Sequence, residues 1–271
     1  MKFVEKLKRA SQKNNSLLCV GLDTELEKIP KFLLSEKEPI FSFNQKIIDS
    51  TRDLVCAYKP NLAFYEAYGI KGLEALKKTC EYIPKDIPVI LDAKRGDIGN
   101  TSKMYARAIF EEFKADGVTL SPYLGEDSLS PFLEYEDKGC FILCLTSNAG
   151  AKDFQLQEIE GKPLYKIVAE KVKTWNKKGN CGLVIGATYP EQLKEIRDMA
   201  GELPILIPGV GAQKGDAEKT VKYGTDKNGE LAIINSSRGV IYASSEKDFA
   251  LRAKDEAKKL RDLFNSYRKK G

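Results

Sequence analysis

Eight short, nearly unbroken apolar runs recur along the chain, and no other feature limits its fold so tightly. They are Leu17–Gly21, Leu54–Tyr58, Pro88–Leu91, Gly117–Leu120, Cys140–Leu145, Gly182–Gly186, Pro204–Ile207 and Leu231–Ile234. A strand exposed on one face alternates apolar and polar residues, whereas unbroken apolar character marks a strand covered on both faces. Segments with helical spacing separate the runs. The clearest are Phe43–Asp53, Leu73–Glu81, Lys103–Lys114, Leu164–Lys178 and Glu191–Ala200; Asp248–Tyr267 follows the last run and Phe3–Gln12 precedes the first. Strands alternating with helices, without an internal linker, predict an α/β chain folded as one (β/α)8 (TIM) barrel domain over residues 1–271. An open doubly wound sheet is the competing arrangement. No Gly-x-Gly-x-x-Gly follows the first run, so dinucleotide binding gains no support.

The chain has no histidine. Ser-His-Asp and Cys-His nucleophile systems, imidazole acid–base catalysis and most zinc chemistry are thereby excluded. Protons moved by side chains must be moved by Asp, Glu, Lys, Tyr or Cys. The six cysteines form no Cys-x-x-Cys pair, and five lie within apolar runs or, for Cys181, directly against one, which predicts reduced core thiols. No apolar stretch approaches the roughly 18–20 residues that cross a bilayer, and the charged start Met1-Lys2-Phe3-Val4-Glu5-Lys6 lacks the apolar core of a secretory signal. A cytoplasmic protein is expected. The net charge of +5 is concentrated near the end, where Lys258, Lys259, Arg261, Arg268, Lys269 and Lys270 interleave with Asp255, Glu256 and Asp262. That is a solvated helix face, and no basic stripe with interleaved aromatics points to nucleic acid.

In barrels of this kind the active site lies at the C-terminal strand ends. Those positions hold Asp23, Lys59 with Asn61, Asp92 with Lys94, Ser121, Thr146 with Ser147, Thr188, Pro208 with Gly209, and Ser236 with Arg238. Asp92 and Lys94, two apart on a strand, are expected on the same side, facing the mouth. Asp97 follows after Gly96, where the backbone can turn sharply, and Ile98–Thr101 leads into a helix. With Lys59 the set alternates carboxylates and ammonium groups, which fixes the charges and presents a protonated lysine to a carbanion. A structural salt-bridge network at a strand end is the other reading of the same residues.

A second constellation follows the seventh run, in Pro208-Gly209-Val210-Gly211-Ala212-Gln213-Lys214-Gly215-Asp216. Its glycines allow close backbone approach, and the helix start beyond it offers free N–H groups to an anion. The eighth run leads into Asn235-Ser236-Ser237-Arg238-Gly239, adding a fixed cation. Loops after strands seven and eight commonly cradle phosphate in this architecture.

These residues together resemble the orotidine 5′-monophosphate decarboxylase family. The likeness runs through Gly21-Leu22-Asp23, Tyr58-Lys59-Pro60-Asn61, Leu91 to Thr101, Leu145-Thr146-Ser147-Asn148, Pro208 to Gln213 and Ser237-Arg238-Gly239-Val240-Ile241-Tyr242. The Asp-x-Lys-x-x-Asp-Ile-x-x-Thr element is its most specific part, and the wording around it is that of the longer, bacterial-type subgroup. The resemblance implies conversion of orotidine monophosphate to uridine monophosphate without cofactor or metal. It implies that Asp23 and Lys59 hold the ribose hydroxyls, that Asp92 lies beside the departing carboxylate, and that Lys94 protonates C6. It implies pyrimidine contacts from Thr146 and Ser147 and phosphate contacts from Gln213 and Arg238, with Asn61, Pro208 and Gly239 completing the site. It also implies a homodimer in which Asp97 and Thr101 reach into the partner's site.

Three alternatives share part of this pattern. A magnesium-dependent sugar-phosphate decarboxylase or aldolase of the same barrel superfamily carries the Asp-x-Lys-x-x-Asp element, although Lys59 is an awkward neighbour for a cation. A Schiff-base aldolase could use Lys59 or Lys94. A non-catalytic phosphate-ligand barrel is opposed by the cost of burying four charges without a use for them.

Overall fold

A computed structural model describes residues 1–210 and 216–268. Eight parallel strands run Leu18–Gly21, Ala57–Lys59, Ile90–Arg95, Gly117–Leu120, Gly139–Leu145, Cys181–Ile185, Ile205–Pro208 and Ala232–Ser236. Numbered along the chain, they lie side by side in the order 2-1-8-7-6-5-4-3. Parallel bridges Tyr58↔Val89 and Asn61↔Asp92 join strands two and three and close the ring. The predicted barrel is therefore the observed one, and the open sheet is excluded.

Residues alternate between the two faces of each strand, so one set fills the barrel while the other meets the helices. The inner set includes Cys19, Ala57, Ile90, Phe141, Val184, Leu206 and Ile233, and Phe3 and Leu7 of the helix Phe3–Lys13 complete it from below. Phe3 meets Phe141 edge-on, with centroids 5.4 Å apart. Glycine makes room for that plug: a Cβ on Gly139 would stand 2.7 Å from Phe3 Cγ. The outer helices, among them Pro39–Thr51, Gly69–Tyr82, Pro190–Ala200 and Phe249–Tyr267, bury their apolar stripes against the ring. No helix among the described residues is long and apolar enough to cross a membrane.

The differences from expectation fall where packing outweighs local pattern. The second strand begins three residues later than its apolar run and ends on Lys59 itself. The third extends past its apolar run to Arg95, because the barrel rim supplies hydrogen-bond partners to polar residues as readily as to apolar ones. The helix expected over Lys103–Lys114 starts at Gly99 and passes at Ala108 into a π-helical turn ending at Glu112. Helix Glu126–Leu133 contains Pro131, which hides it from a propensity reading. A small antiparallel hairpin, Glu158–Ile159 with Lys162–Pro163, turns through Glu160 and Gly161, both at positive φ.

Candidate active site

The third strand brings Asp92 and Lys94 together, though not by regular alternation. Its pairing with strand four runs Leu91↔Val118 and then Arg95↔Leu120, so Asp92, Ala93 and Lys94 stand opposite Thr119 alone. The extra residues form a bulge, and Lys94 adopts φ +47°, a left-handed conformation uncommon outside glycine. The expected shared orientation is thus reached through a distorted strand. Lys94 Nζ donates to Asp92 Oδ1 at 2.6 Å, and Lys59 Nζ donates to Oδ2 at 2.9 Å. Thr119 Oγ1 adds a third bond, donating to Oδ1 at 2.9 Å.

The two lysines are in different surroundings. Lys59 is 3% exposed, whereas half of the Lys94 side chain is open to the cavity. Burial alone would discharge Lys59, but Asp92 and then Asp23 outweigh it and hold the ammonium above the ordinary lysine range. Burial likewise opposes ionisation of Asp92, yet Lys59 and Lys94 keep that carboxyl well below the usual carboxylate range. The result is a fixed anion between one buried and one accessible cation. Asp23 Oδ1 is buried and has no hydrogen-bond partner among the described residues, so within them this charged set offers a further acceptor to a ligand.

The cavity above these groups has two lobes that share Lys59, Asp92 and Pro208. One, of about 170 Å³, is bounded by Asp23, Asn61, Asn235 and Arg238. The other, of about 450 Å³, has the inner apolar residues Leu143, Val184 and Leu206 as its floor and Lys94, Thr146 and Ser147 on its wall. A flat, partly apolar ring with polar edges suits the larger lobe, and a polyhydroxylated group suits the smaller.

Neighbouring elements hold the rim in place. Tyr65 donates its hydroxyl to the Leu22 carbonyl at 2.8 Å, while Tyr242 donates to the Asp23 carbonyl at 3.0 Å and accepts from Glu25 N–H at 2.7 Å. Three hydrogen bonds thus fix the turn carrying Asp23. Thr146 N–H donates to Gln155 Oε1 at 2.7 Å, and Gln155 Nε2 donates back to Thr146 Oγ1 at 2.9 Å. Arg238 is exposed at the start of the short helix Arg238–Ile241, at the edge of the smaller lobe.

Asp23, Lys59, Asn61, Asp92, Lys94, Thr146, Ser147, Pro208 and Arg238 therefore gather around one space. Gly239 is exposed beside Arg238 and lines neither lobe. Asp97 and Thr101 also line neither lobe: Asp97 Oδ1 accepts from Ile98 N–H at 2.8 Å, and Thr101 is exposed on helix Gly99–Arg107. Gln213 lies outside the described residues. Thr119 and Gln155 were not anticipated, and Asn235 entered only as part of the constellation after the eighth run, without a role of its own. Thr119 and Asn235 carried a signal, being polar residues within otherwise apolar strands, but Gln155 did not. Another concavity, of about 690 Å³, lies between helices Pro190–Ala200 and Ala217–Gly224, away from the strand ends. Its buried Arg197 donates to the carbonyls of Gly201, Leu203 and Gly224, which marks a structural tie.

A family model described as the orotidine 5′-phosphate decarboxylase / HUMPS family matches residues 16–253. An orotidine 5′-phosphate decarboxylase of Dehalococcoides mccartyi is 54% identical over 274 residues, covering 100% of both chains. One from Cupriavidus metallidurans is 49% identical over 272 residues, covering 99% of each. Among solved structures, Leishmania donovani OMP decarboxylase superposes with a TM-score of 0.85 at 37% identity, over 97% of this chain and 99% of its own. A putative orotidine-monophosphate-decarboxylase from Toxoplasma gondii gives 0.88 at 37% identity, over 98% of both chains.

Proposed function

The chain belongs to the orotidine 5′-phosphate decarboxylase family and is a carboxy-lyase forming uridine 5′-monophosphate from orotidine 5′-monophosphate; we propose that Lys94 supplies the proton that replaces the lost carboxylate. The observation that carries this assignment is the shared carboxylate of Asp92, held by buried Lys59 on one oxygen and by accessible Lys94 on the other. Breaking the C6–carboxylate bond releases carbon dioxide and leaves an electron pair in the ring plane, where delocalisation is poor. A cation already aligned with that position stabilises the developing charge without solvent reorganisation. The pair then takes a proton from Lys94 Nζ, and the amine regains one from solvent.

The remaining roles follow the two lobes. The pyrimidine occupies the larger one against Thr146 and Ser147, and the ribose hydroxyls meet Asp23, Lys59 and Asn61 in the smaller. Arg238, beside Gly239 and on the same lobe as Pro208, receives the phosphate, and Gln213 is assigned to it by the family resemblance alone. Because the phosphate is remote from C6, its clamping contributes binding energy that is used for closure and positioning. One barrel domain, 1–271, carries all of these residues.

The magnesium reading fits less well. Both oxygens of Asp92 are engaged by ammonium groups, a poor setting for a divalent cation. The full-length relatives bear the decarboxylase name as well. Loss of orotidine monophosphate absorbance at an undiminished rate in excess chelator is the expected result. Chelator-sensitive turnover would restore the magnesium reading.

A homodimer accounts for Asp97 and Thr101. Around them Ile98, Met104 and Tyr123 are 63%, 60% and 81% exposed, and Phe154, in ring contact with Tyr123, is 62% exposed. Apolar side chains on successive strand-to-helix connections at the mouth suit a second copy of the chain. Mixing inactive Lys94→Ala with inactive Asp97→Ala should restore activity, because one site of each mixed dimer then holds both groups. No recovery after verified subunit exchange would place Asp97 in its own subunit's site. A cytoplasmic setting agrees with six buried, unpaired cysteines.

A further inference from the structure

We propose that Thr119 is a positioning residue for the reaction: its hydroxyl holds the Asp92 carboxylate and the bulged backbone of Lys94 in one fixed arrangement. The inference rests on Lys94 being the proton donor and adds a residue to that reading. Within the bulge three residues of strand three face a single residue of strand four, so the regular ladder cannot satisfy their backbone groups. The backbone of Asp92 is tied to the other side, its N–H donating to Pro60 O at 2.9 Å and its carbonyl accepting from Leu62 N–H at 3.2 Å. The Lys94 N–H has a side-chain partner instead, Thr119 Oγ1 at 3.0 Å.

The direction of the bonds follows from chemistry. An N–H can only donate, so Thr119 Oγ1 accepts from Lys94 through a lone pair. Its one hydroxyl proton is then directed to Asp92 Oδ1, 2.9 Å away. Lys94 Nζ donates to the same oxygen. Backbone, hydroxyl, carboxylate and ammonium form a closed loop that returns to Lys94. The loop matters because a left-handed residue without glycine's freedom persists only where its surroundings hold it. Thr119 is 1% exposed and lines the larger lobe, close enough to the reacting groups to act on them without touching solvent.

Thr119→Val keeps the shape and β-branching while removing both hydrogen bonds. The expected result is a kcat lowered roughly 10- to 100-fold, since small misplacements of reacting groups cost that much. The KM and the affinity for uridine monophosphate should change less than about threefold, because neither bond reaches the substrate's ribose or phosphate contacts. Thr119→Ser retains the hydroxyl and should recover most of the rate. A purely packing role predicts the reverse, with Val near wild type and Ser impaired by the lost methyl group. If the Val protein does not fold, Thr119→Ala against Thr119→Ser makes the same comparison. The proposal is overturned by a kcat within about threefold of wild type in the hydroxyl-free variant, by a loss confined to KM, or by a Ser variant as slow as the Val or Ala one. Lys94→Ala is assayed alongside. If it is inactive while Thr119→Val is unimpaired, only the positioning role fails; if it is active, the reading beneath it fails.

Discussion

Replacing Lys59 with methionine probes the charge array through stability, independently of turnover. Methionine matches the length of the lysine stem but leaves Asp92 Oδ2 without the ammonium that now lies 2.9 Å away. The other partner of Asp92, Lys94, is half exposed, so solvent screens its attraction and it cannot replace a cation that is 3% exposed. Removing one member of a buried ion pair costs about 3–5 kcal/mol, because a desolvated charge is left uncompensated. At roughly 2–4 °C per kcal/mol for a chain somewhat below this size, the melting temperature at pH 7 should fall by about 6–20 °C. The sign of the pH dependence then follows. In the wild type the Asp92 carboxyl is depressed, so its stabilising contribution is present above the ordinary carboxylate pKa and is lost only as pH falls through its lower folded value. In the variant the burial effect is less opposed, the carboxyl rises, and protonation at mildly acid pH relieves the penalty. Thermal melts of both proteins between pH 7 and pH 4 should therefore show the gap narrowing as pH falls. Equal melting temperatures at pH 7, or a gap that widens toward acid, would refute the electrostatic account of this array.

Arg238→Ala should lower kcat/KM for orotidine monophosphate by roughly 10- to 100-fold, the worth of a charge-assisted phosphate contact. Turnover of the phosphate-free nucleoside should hardly change, and equal losses on both substrates would remove Arg238 from the phosphate site. Gly139→Val should destabilise the barrel by about 1–3 kcal/mol in urea unfolding through overpacking against Phe3. A Phe3→Ala background should recover part of that loss, and an unchanged loss would show that Phe3 is not the obstacle.

Much of this arrangement was legible in the sequence, for identifiable reasons. Strands buried on both faces announce themselves as unbroken apolar runs, and polar residues directly beyond those runs must lie at the barrel rim. Lys59, Asp92, Lys94 and Arg238 were found in this way. What the pattern did not contain was the distortion that aims Lys94, because a bulge depends on how two strands register, not on the residues of one. Thr119 acquired its place from that mismatch. Gln155 reaches Thr146 through a loop fold with no spacing signature. The absence of Asp97 and Thr101 from their own cavity is a three-dimensional fact that spacing along one chain cannot express.

The central claim is that Lys94 is the proton donor. The most direct measurement is single-turnover formation of uridine monophosphate by Lys94→Ala, with enzyme in excess over orotidine monophosphate and folding checked by melting. The account predicts a folded protein whose rate is lower by about 10⁴-fold or more, since both the aligned cation and the proton source are gone. Product formation within about tenfold of the wild-type rate would contradict it.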